Sequence, residues 1–225
     1  MEYSTRLYEE NDIYRVLRFE TEEEWLAGRN SGIGGSEVAA IVGMSPWKNS
    51  DELWKIKTGR KQAEQISNNK AVQYGKDAEE YIRQIYALDR PQYEVNYLEN
   101  VILENKKYPF IHYSPDGLLY EKETGRKGIL EIKTSEILRS VQREMWDDRI
   151  PDHYFCQVIQ GLLTTDFDFI ELRAHLKYND EYTRVITRHI EKSEVLEDME
   201  YVLNEEIKFW KHVLDDTEPP MIISI

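Results

Sequence analysis

Cysteine is nearly missing from this chain of 225 residues, which contains only Cys156. One thiol cannot form an internal disulfide, and it cannot supply the sulfur ligands of a four-cysteine zinc or iron–sulfur site. The sequence therefore gives no reason to expect an oxidising compartment, and we expect the protein to be cytoplasmic.

Long apolar runs are also lacking. No stretch approaches the roughly 18 apolar residues that cross a membrane, and the stretch MEYSTRLYEENDIYRV has no basic region followed by an apolar run. We expect neither export nor a membrane anchor. With 40% hydrophobic and 12% aromatic residues the chain can bury a sizeable core, and it shows no repeat or linker that would divide it. A single domain is expected over residues 1–225.

Positive charge is scarce, because the sequence has 29 Lys and Arg residues but 43 Asp and Glu residues, and its formal net charge is −14. Proteins that bind nucleic acid usually neutralise phosphates with many Lys and Arg side chains. The composition argues against such a partner unless metal ions or a local basic track supply the positive charge. The candidate tracks are Lys106 with Lys107, Arg126 with Lys127, and Arg139 with Arg143.

The stretch GIGGSEVAAIVGMSPW, from Gly32 to Trp47, places three glycines and a serine before an apolar helix. A turn of this kind can hold an anion, because small residues let the backbone approach closely and the first helical N–H groups have no internal partner. The simpler interpretation is an ordinary helix start with Ser36 as its N-cap residue and the glycines serving the turn. The residues alone leave both interpretations open.

Hydrophobic patterning favours an α/β fold with a sheet covered by helices. Helices are predicted over Thr21–Arg29, with a capping box between Thr21 and Glu24, and over Ser36–Val42, Asp51–Thr58, Ala71–Ala87 and the segment PDHYFCQVIQGLLTT. Strands are predicted over Val95–Glu104, Phe110–Ser114, Gly117–Tyr120, Gly128–Lys133 and Phe169–Lys177. A flexible loop is predicted over Gly59–Lys70. We expect a core over about residues 21–178 and a C-terminal helical extension over about residues 190–216, which packs on the core or on another subunit.

The most informative segment is YSPDGLLYEKETGRKGILEIKTSE, from Tyr113 to Glu136. Its second predicted strand alternates, so that Glu131 and Lys133 share one face. If Asp116 lies at the end of the neighbouring strand, its carboxylate approaches Glu131, and the two repel each other unless a cation lies between them. Oxygen ligands without His or Cys favour Mg²⁺ or Mn²⁺. Such an ion activates a phosphodiester for attack by water, and Lys133 is suited to orient that water.

A cross-strand salt bridge is the competing interpretation of this strand pair, since charged pairs are common on exposed sheet faces. Glu79 adds a further carboxylate. It lies at the border of a predicted apolar helix stripe formed by Tyr74, Ala78, Tyr81, Ile82 and Ile85. The alternative role of Glu79 is an ion pair with Lys76 or Arg83.

In this order, the motifs resemble the YqaJ-like viral recombinase family, relatives of phage lambda exonuclease within the PD-(D/E)XK nuclease superfamily. The matching elements run from about Trp25 to about Leu163: Arg29 followed by GIGGSEVAAIVGMSPW, then YGKDAE, SPDG, LEIK and HYFCQVIQ. The long first motif and the order of the whole set make the resemblance specific. Glu37 stands where an Asp commonly follows the serine, and either acid suits the first turn of a helix. The resemblance implies a restriction-endonuclease-like core, a central mixed β-sheet flanked by helices.

The resemblance also implies roles for individual residues. Asp116 and Glu131 are implied to ligate the metal, with the backbone carbonyl of Ile132 as a further ligand. Lys133 is implied to be the catalytic lysine, and Glu79 is implied to belong to the same catalytic set.

Further positions are assigned on the resemblance. Gln157 is implied to complete the catalytic set, although helical phasing places it opposite the apolar stripe, as a solvated glutamine. Arg29 and Ser36, with the backbone of Gly34 and Gly35, are implied to hold a terminal 5′-phosphate.

These implied roles describe a Mg²⁺-dependent exonuclease, for which Mn²⁺ is an acceptable substitute. The enzyme would degrade one strand of linear double-stranded DNA from its 5′ end and leave a 3′ overhang for recombination by single-strand annealing. The implied partners are double-stranded DNA ends, a single-strand-annealing protein and, as in lambda exonuclease, two further copies of the chain in a trimeric ring. A phage or prophage origin in a bacterial host is implied. Two alternatives stay open: a structure-specific or nicking endonuclease with the same metal site, and a catalytically inert DNA-end-binding module.

Overall fold

The structure is a computed structural model, and it describes residues 3–62, 70–137, 140–147, 149–178 and 182–220. Most of the predicted loop over Gly59–Lys70, namely residues 63–69, lies outside the described residues, as does the candidate contact Arg139. Within the described ranges, no helix combines the length and the hydropathy of a membrane span.

Seven α-helices and eight β-strands are formed by the described residues. The helices are α1 (Glu22–Gly28), α2 (Gly35–Ile41), α3 (Ser50–Lys57), α4 (Lys70–Asp89), α5 (Ser140–Asp147), α6 (Asp152–Thr165) and α7 (Leu196–Leu214). The strands are β1 (Tyr14–Arg18), β2 (Tyr93–Asn96), β3 (Val101–Asn105), β4 (His112–Tyr113), β5 (Gly117–Glu121), β6 (Lys127–Glu136), β7 (Phe169–Tyr178) and β8 (Tyr182–Glu191).

The central sheet has five strands in the order β2-β5-β6-β7-β8. Strands β6 and β7 pair in parallel, while the other neighbours pair antiparallel, so the sheet is mixed. The connection between the parallel strands contains α5 and α6, as a parallel crossover requires. A smaller antiparallel sheet has the order β1-β3-β4. The predicted fold class, a mixed sheet flanked by helices, is confirmed.

Strand β6 divides the core because its side chains alternate between the two faces of the sheet. Ile129 lies in the larger apolar cluster together with Ile159 of α6. Leu130 lies in a second cluster with Ile82 and Tyr86 of α4. Helix α6 therefore covers one face of the sheet and α4 covers the other, and residues 128–132 of β6 are buried between them.

Several predicted boundaries are corrected. The predicted strand Val95–Glu104 is two strands in different sheets, because the chain turns at Asn100, whose φ of 52° lies in the left-handed region that asparagine tolerates. The predicted strand Phe110–Ser114 is reduced to the two residues of β4. Strands β1 and β8 and helix α5 were not predicted, although β8 pairs with β7 along ten residues.

The buried face of α4 also differs from the predicted stripe. Tyr74, Tyr81 and Ile85 are 57%, 65% and 45% exposed. The face that packs on the sheet instead includes Arg83, which is 2% exposed, and Tyr86, which is fully buried. Apolar periodicity missed this phase because a charged side chain, Arg83, is held inside by polar and aromatic contacts.

Helix α7, the expected C-terminal extension, packs on the core of the same chain. Val202 and Phe209 belong to the larger apolar cluster, and the indole nitrogen of Trp54 in α3 donates to the carbonyl of His212 at 3.2 Å. The helix thus covers α2, α3 and α6.

Candidate active site

One cleft of about 620 Å³ collects nearly all of the predicted site residues. It opens between the start of α2, helix α4, the segment that joins β4 to β5, and strand β6. The predicted residues that line it are Arg29, Gly34, Gly35, Ser36, Glu79, Asp116, Glu131, Lys133 and Gln157. Ile132 does not line the cleft, and its proposed carbonyl ligand stays a prediction.

The hairpin of β5 and β6 brings the first two carboxylates together. Gly117 pairs with Leu130 in the antiparallel register, so the next position along each strand places Asp116 opposite Glu131. The N–H of Ile132 donates to Oδ2 of Asp116 at 2.7 Å and fixes that carboxylate at the end of the hairpin. The position predicted for Asp116, at the end of a strand beside Glu131, is the one observed.

Glu131 is 5% exposed, and each of its carboxylate oxygens has a donor. The hydroxyl of Tyr113 donates to Oε2, and the ammonium of Lys133 lies 2.5 Å from Oε1. The ring of Tyr154 lies 5.4 Å from the same ammonium. A salt bridge between Glu131 and Lys133 therefore exists, but it is buried in the cleft and does not lie on an exposed sheet face.

The site holds an excess of negative charge. Burial raises the pKa of Asp116 well above its usual range, and the charges of Glu131 and Glu79 raise it further. Burial also raises the pKa of Glu79, against the opposing attraction of Lys133. Burial disfavours the charged form of Lys133, but the attraction of Glu131 and Asp116 outweighs it and raises the pKa of the ammonium. Three carboxylates share one lysine, so a further cation would lower the energy of the site.

The alternative role of Glu79, an ion pair with Lys76 or Arg83, is not observed, because both cations have other partners. Lys76 lies 2.5 Å from Glu22 of α1. Arg83 donates through Nε to the backbone carbonyl of Asp116 at 2.6 Å, and its guanidinium lies 3.5 Å from the ring centre of Tyr97. Arg83 therefore braces the loop that carries Asp116, while Glu79 faces the cleft.

The donor set fits a hard divalent cation held partly by substrate. Among the described residues, no group of three or more His, Cys, Asp or Glu side chains is placed to hold a metal ion. Mg²⁺ commonly binds through only one or two carboxylates, with water and substrate phosphates completing its shell. Asp116 and Glu131 supply two such carboxylates, and a cation between them would relieve the repulsion that, after burial, raises the pKa of Asp116.

The glycine-rich turn lies at the other end of the cleft. Nη2 of Arg29 donates to Oγ of Ser36 at 3.3 Å, and the guanidinium lies 4.9 Å from the ring centre of Trp25. Ser36 is exposed and is the second residue of α2, so it is not the N-cap residue. The N-cap position belongs to Gly34, whose N–H donates to Oε2 of Glu37 at 2.9 Å.

A buried ion pair between Glu37 and Lys57 holds this turn in place. Oε2 of Glu37 lies 2.8 Å from the ammonium of Lys57, whose side chain has no exposed surface. The same ammonium donates to the carbonyl of Arg29 at 3.2 Å. Burial lowers the pKa of Lys57, although the charge of Glu37 opposes this shift. Glu37 therefore anchors the turn, because it accepts from the N–H of Gly34 and pairs with the ammonium of Lys57.

Gln157 lies at the cleft and not on the solvated face that helical phasing indicated. Its Oε1 is buried and has no hydrogen-bond partner within the described part of the chain. A buried amide oxygen without a partner is costly unless water or a ligand reaches it. Gln157 therefore lies where its implied role requires it, although the helical phasing of α6 alone favoured a solvated position.

Sequence reasoning missed Tyr113, Tyr154 and the bracing role of Arg83. Tyr113 directly precedes the SPDG motif, and Arg83 follows Glu79 by one helical turn, so both lie at positions that could have drawn attention. Burial and the charges of Glu131 and Asp116 raise the pKa of Tyr113, which keeps the phenol protonated as a donor.

The candidate basic tracks do not enter the cleft. Lys106 pairs with Glu10 at 2.8 Å, Arg126 pairs with Glu191, and Arg143 lies 3.9 Å from Asp147. None of the described track residues lines the cleft. Positive charge inside it comes from Arg29, Lys76 and Lys133.

The chain is similar to known proteins over most of its length. The model of the YqaJ-like viral recombinase domain matches residues 24–168. The protein YqaJ of Bacillus subtilis (strain 168) is 30% identical over 190 residues, which are 84% of this chain and 55% of that protein. The chain thus spans about half the length of this curated relative.

Two solved structures share the fold. The alkaline exonuclease LHK-Exo from Laribacter hongkongensis has a TM-score of 0.66 at 20% identity, over 86% of this chain and 93% of that chain. The phage related exonuclease from Haemophilus somnus 129PT has a TM-score of 0.52 at 16% identity, over 82% and 96% of the two chains. At these identities the likeness concerns the fold.

Proposed function

The chain belongs to the YqaJ-like viral recombinase domain family, and from this premise we propose that it is a Mg²⁺-dependent exonuclease acting on the 5′ ends of linear double-stranded DNA. The observation that carries the proposal is the joining, in one cleft, of a carboxylate cluster and a buried lysine with the glycine-rich turn that carries Arg29 and Ser36. A cluster without the turn would suit any metal nuclease. The turn is what favours action at an end.

The carboxylate end of the cleft performs the chemistry. Asp116 and Glu131 would hold Mg²⁺, with Mn²⁺ as a substitute, and the bound ion would polarise the scissile phosphodiester. Lys133, buried beside Glu131, orients the attacking water and stabilises the negative charge that develops on the phosphate. Glu79 and Gln157 complete the polar wall around that position.

The turn determines which phosphodiester is cut. Arg29 and the Ser36 hydroxyl, with the backbone at Gly34 and Gly35, would bind the terminal 5′-phosphate. Water then forms a new bond to the next phosphorus in the strand, and the bond from that phosphorus to the 3′-oxygen of the terminal nucleotide breaks. The product is a 5′-mononucleotide, and the shortened strand carries a new 5′-phosphate for the same turn. Continued removal leaves a 3′ overhang that a single-strand-annealing protein could use.

The acidic composition is compatible with this activity because a bound metal ion would supply positive charge at the carboxylate end, and Arg29 would supply it at the turn. Few phosphate contacts would give weak non-specific binding with a shallow dependence on salt. Retention of the substrate would then depend on binding of the 5′-phosphorylated DNA end. We propose a homotrimeric ring around DNA as the assembly. We also propose that the protein is of phage or prophage origin and works in the cytoplasm of a bacterial host.

The test is cleavage of linear duplex DNA labelled separately at its 5′ and 3′ ends, beside a covalently closed circle, with Mg²⁺. The matched control is Asp116→Ala. Early release of the 5′ label as mononucleotide, with the circle intact and the control inactive, would support the exonuclease. Removal of the 5′-phosphate should slow the reaction, because Arg29 and Ser36 lose their ligand.

Two other outcomes would redirect the proposal. Cutting of the closed circle would favour a structure-specific or nicking endonuclease with the same carboxylates. Metal-dependent binding of ends without hydrolysis would favour an inert end-binding module.

A further inference from the structure

Tyr113 forms the contact that fixes the second carboxylate of the cleft. Its side chain is 3% exposed at the end of β4, and its hydroxyl donates to Oε2 of Glu131. Lys133 holds the other oxygen at 2.5 Å. With a donor on each oxygen, the carboxylate plane of Glu131 has a single orientation. Residues that hydrogen-bond to metal ligands commonly set ligand orientation in this way.

The ring of Tyr113 is itself held between two glycines from different helices. A Cβ atom at Gly35 in α2 would lie 3.2 Å from Cε2 of the ring. A Cβ atom at Gly161 in α6 would lie 3.0 Å from Cζ on the ring. Any larger residue on either side would push the ring, so both glycines are explained by close packing and not by a turn.

The ring therefore connects the two ends of the cleft. Gly35 belongs to the turn proposed to bind the terminal phosphate, and Glu131 belongs to the carboxylate cluster. A displacement of the ring by a few tenths of an ångström at Gly35 would move the hydroxyl that Glu131 accepts.

We propose that Tyr113 is a positioning residue that orients Glu131 for metal binding and couples that orientation to the packing of the glycine turn. The inference rests on the proposed function, since it concerns the metal that Asp116 and Glu131 would hold. Removal of the hydroxyl alone leaves the ring between its glycines, frees Oε2 of Glu131, and lets the carboxylate rotate toward Lys133.

The experiment compares Tyr113→Phe with Tyr14→Phe. Tyr14 is equally buried, at 2%, and its hydroxyl donates to the carbonyl of Leu7 at 2.8 Å outside the cleft. Mn²⁺ binding is titrated by electron paramagnetic resonance without DNA, and kcat and KM for 5′-phosphorylated ends are measured in parallel. We expect Tyr113→Phe to weaken Mn²⁺ binding by about 10-fold to 100-fold and to lower kcat with KM for ends unchanged. Tyr14→Phe should alter neither quantity.

A second variant perturbs the contact between Tyr113 and Glu131 through the packing of the Tyr113 ring. The methyl group added by Gly161→Ala would lie 2.9 Å from Cδ1 of Ile129 and 3.0 Å from Cζ of Tyr113, so it displaces the ring but keeps the hydroxyl. It should weaken Mn²⁺ binding in wild type but add little in the Tyr113→Phe background. Unchanged Mn²⁺ affinity in Tyr113→Phe, or equal losses in Tyr113→Phe and Tyr14→Phe, would overturn the inference. A wild-type protein that binds Mn²⁺ but does not hydrolyse ends would refute the proposed function alone, because the comparison of Mn²⁺ affinities is independent of turnover.

Discussion

The ion pair beneath the glycine turn gives the sharpest stability prediction. Lys57→Met keeps the length of the side chain but removes the ammonium that lies 2.8 Å from Glu37 and 3.2 Å from the carbonyl of Arg29. Because the Lys57 side chain has no exposed surface and that of Glu37 is only 15% exposed, water cannot replace the lost partner. Breaking one half of a buried pair costs about 3–5 kcal/mol. For a chain of this size, that loss corresponds to a fall of about 6–20 °C in the thermal midpoint.

The assay is thermal and urea unfolding of the variant beside Lys55→Met. Lys55 lies on the same helix and pairs with Asp51 at 2.6 Å, but its side chain is 40% exposed, so its removal should leave the midpoint almost unchanged. Adding Glu37→Gln to Lys57→Met should recover part of the loss, since the stranded carboxylate is then neutral. Equal midpoints for Lys57→Met and Lys55→Met would refute the reasoning that burial makes the first pair essential.

Three further predictions concern other titratable side chains. Lys133→Ala should lower turnover by at least about 100-fold while metal binding persists, and unchanged cleavage in the labelled-end assay would remove the proposed mechanism. Both ring nitrogens of His189 meet carboxylates, Glu171 at 2.7 Å and Glu191 at 2.9 Å. Burial opposes its charge, but these hydrogen bonds raise the pKa of His189, so stability present below about pH 6.5 should decline as pH rises through the raised value. Urea titrations should show that decline in wild type and not in His189→Gln. Glu206 is fully buried, and burial raises its pKa well above the usual range. Its folded form binds the proton more tightly, so stability should fall as pH rises above about 4.3, and Glu206→Gln should be stabilising at neutral pH in the same titrations.

Under the proposed function, an acidic protein would bind DNA ends. The carboxylate cluster would then need cations when substrate binds, and the turn would need only one phosphate. Both requirements are local, so the net charge of −14 bears on non-specific binding more than on the site.

The sequence by itself determined the components of the site and the fold class. Alternation along β6 placed Glu131 and Lys133 on one face, and the hairpin that follows Asp116 set that carboxylate opposite Glu131, because an antiparallel register follows from pairing and turn. The same local rules predicted α1, α3 and α6 to within about two residues.

Only the tertiary structure decided how those components meet. The phase of α4 was set by Arg83 reaching the carbonyl of Asp116, a contact between residues 33 positions apart that apolar periodicity cannot anticipate. Gln157 reached the cleft because α6 crosses the glycine turn, and Tyr113 became the support of Glu131 because two distant glycines left room for its ring. Local patterns fix which face a residue occupies along its own element. The packing of elements against one another decides which faces meet, and that depends on contacts no local window contains.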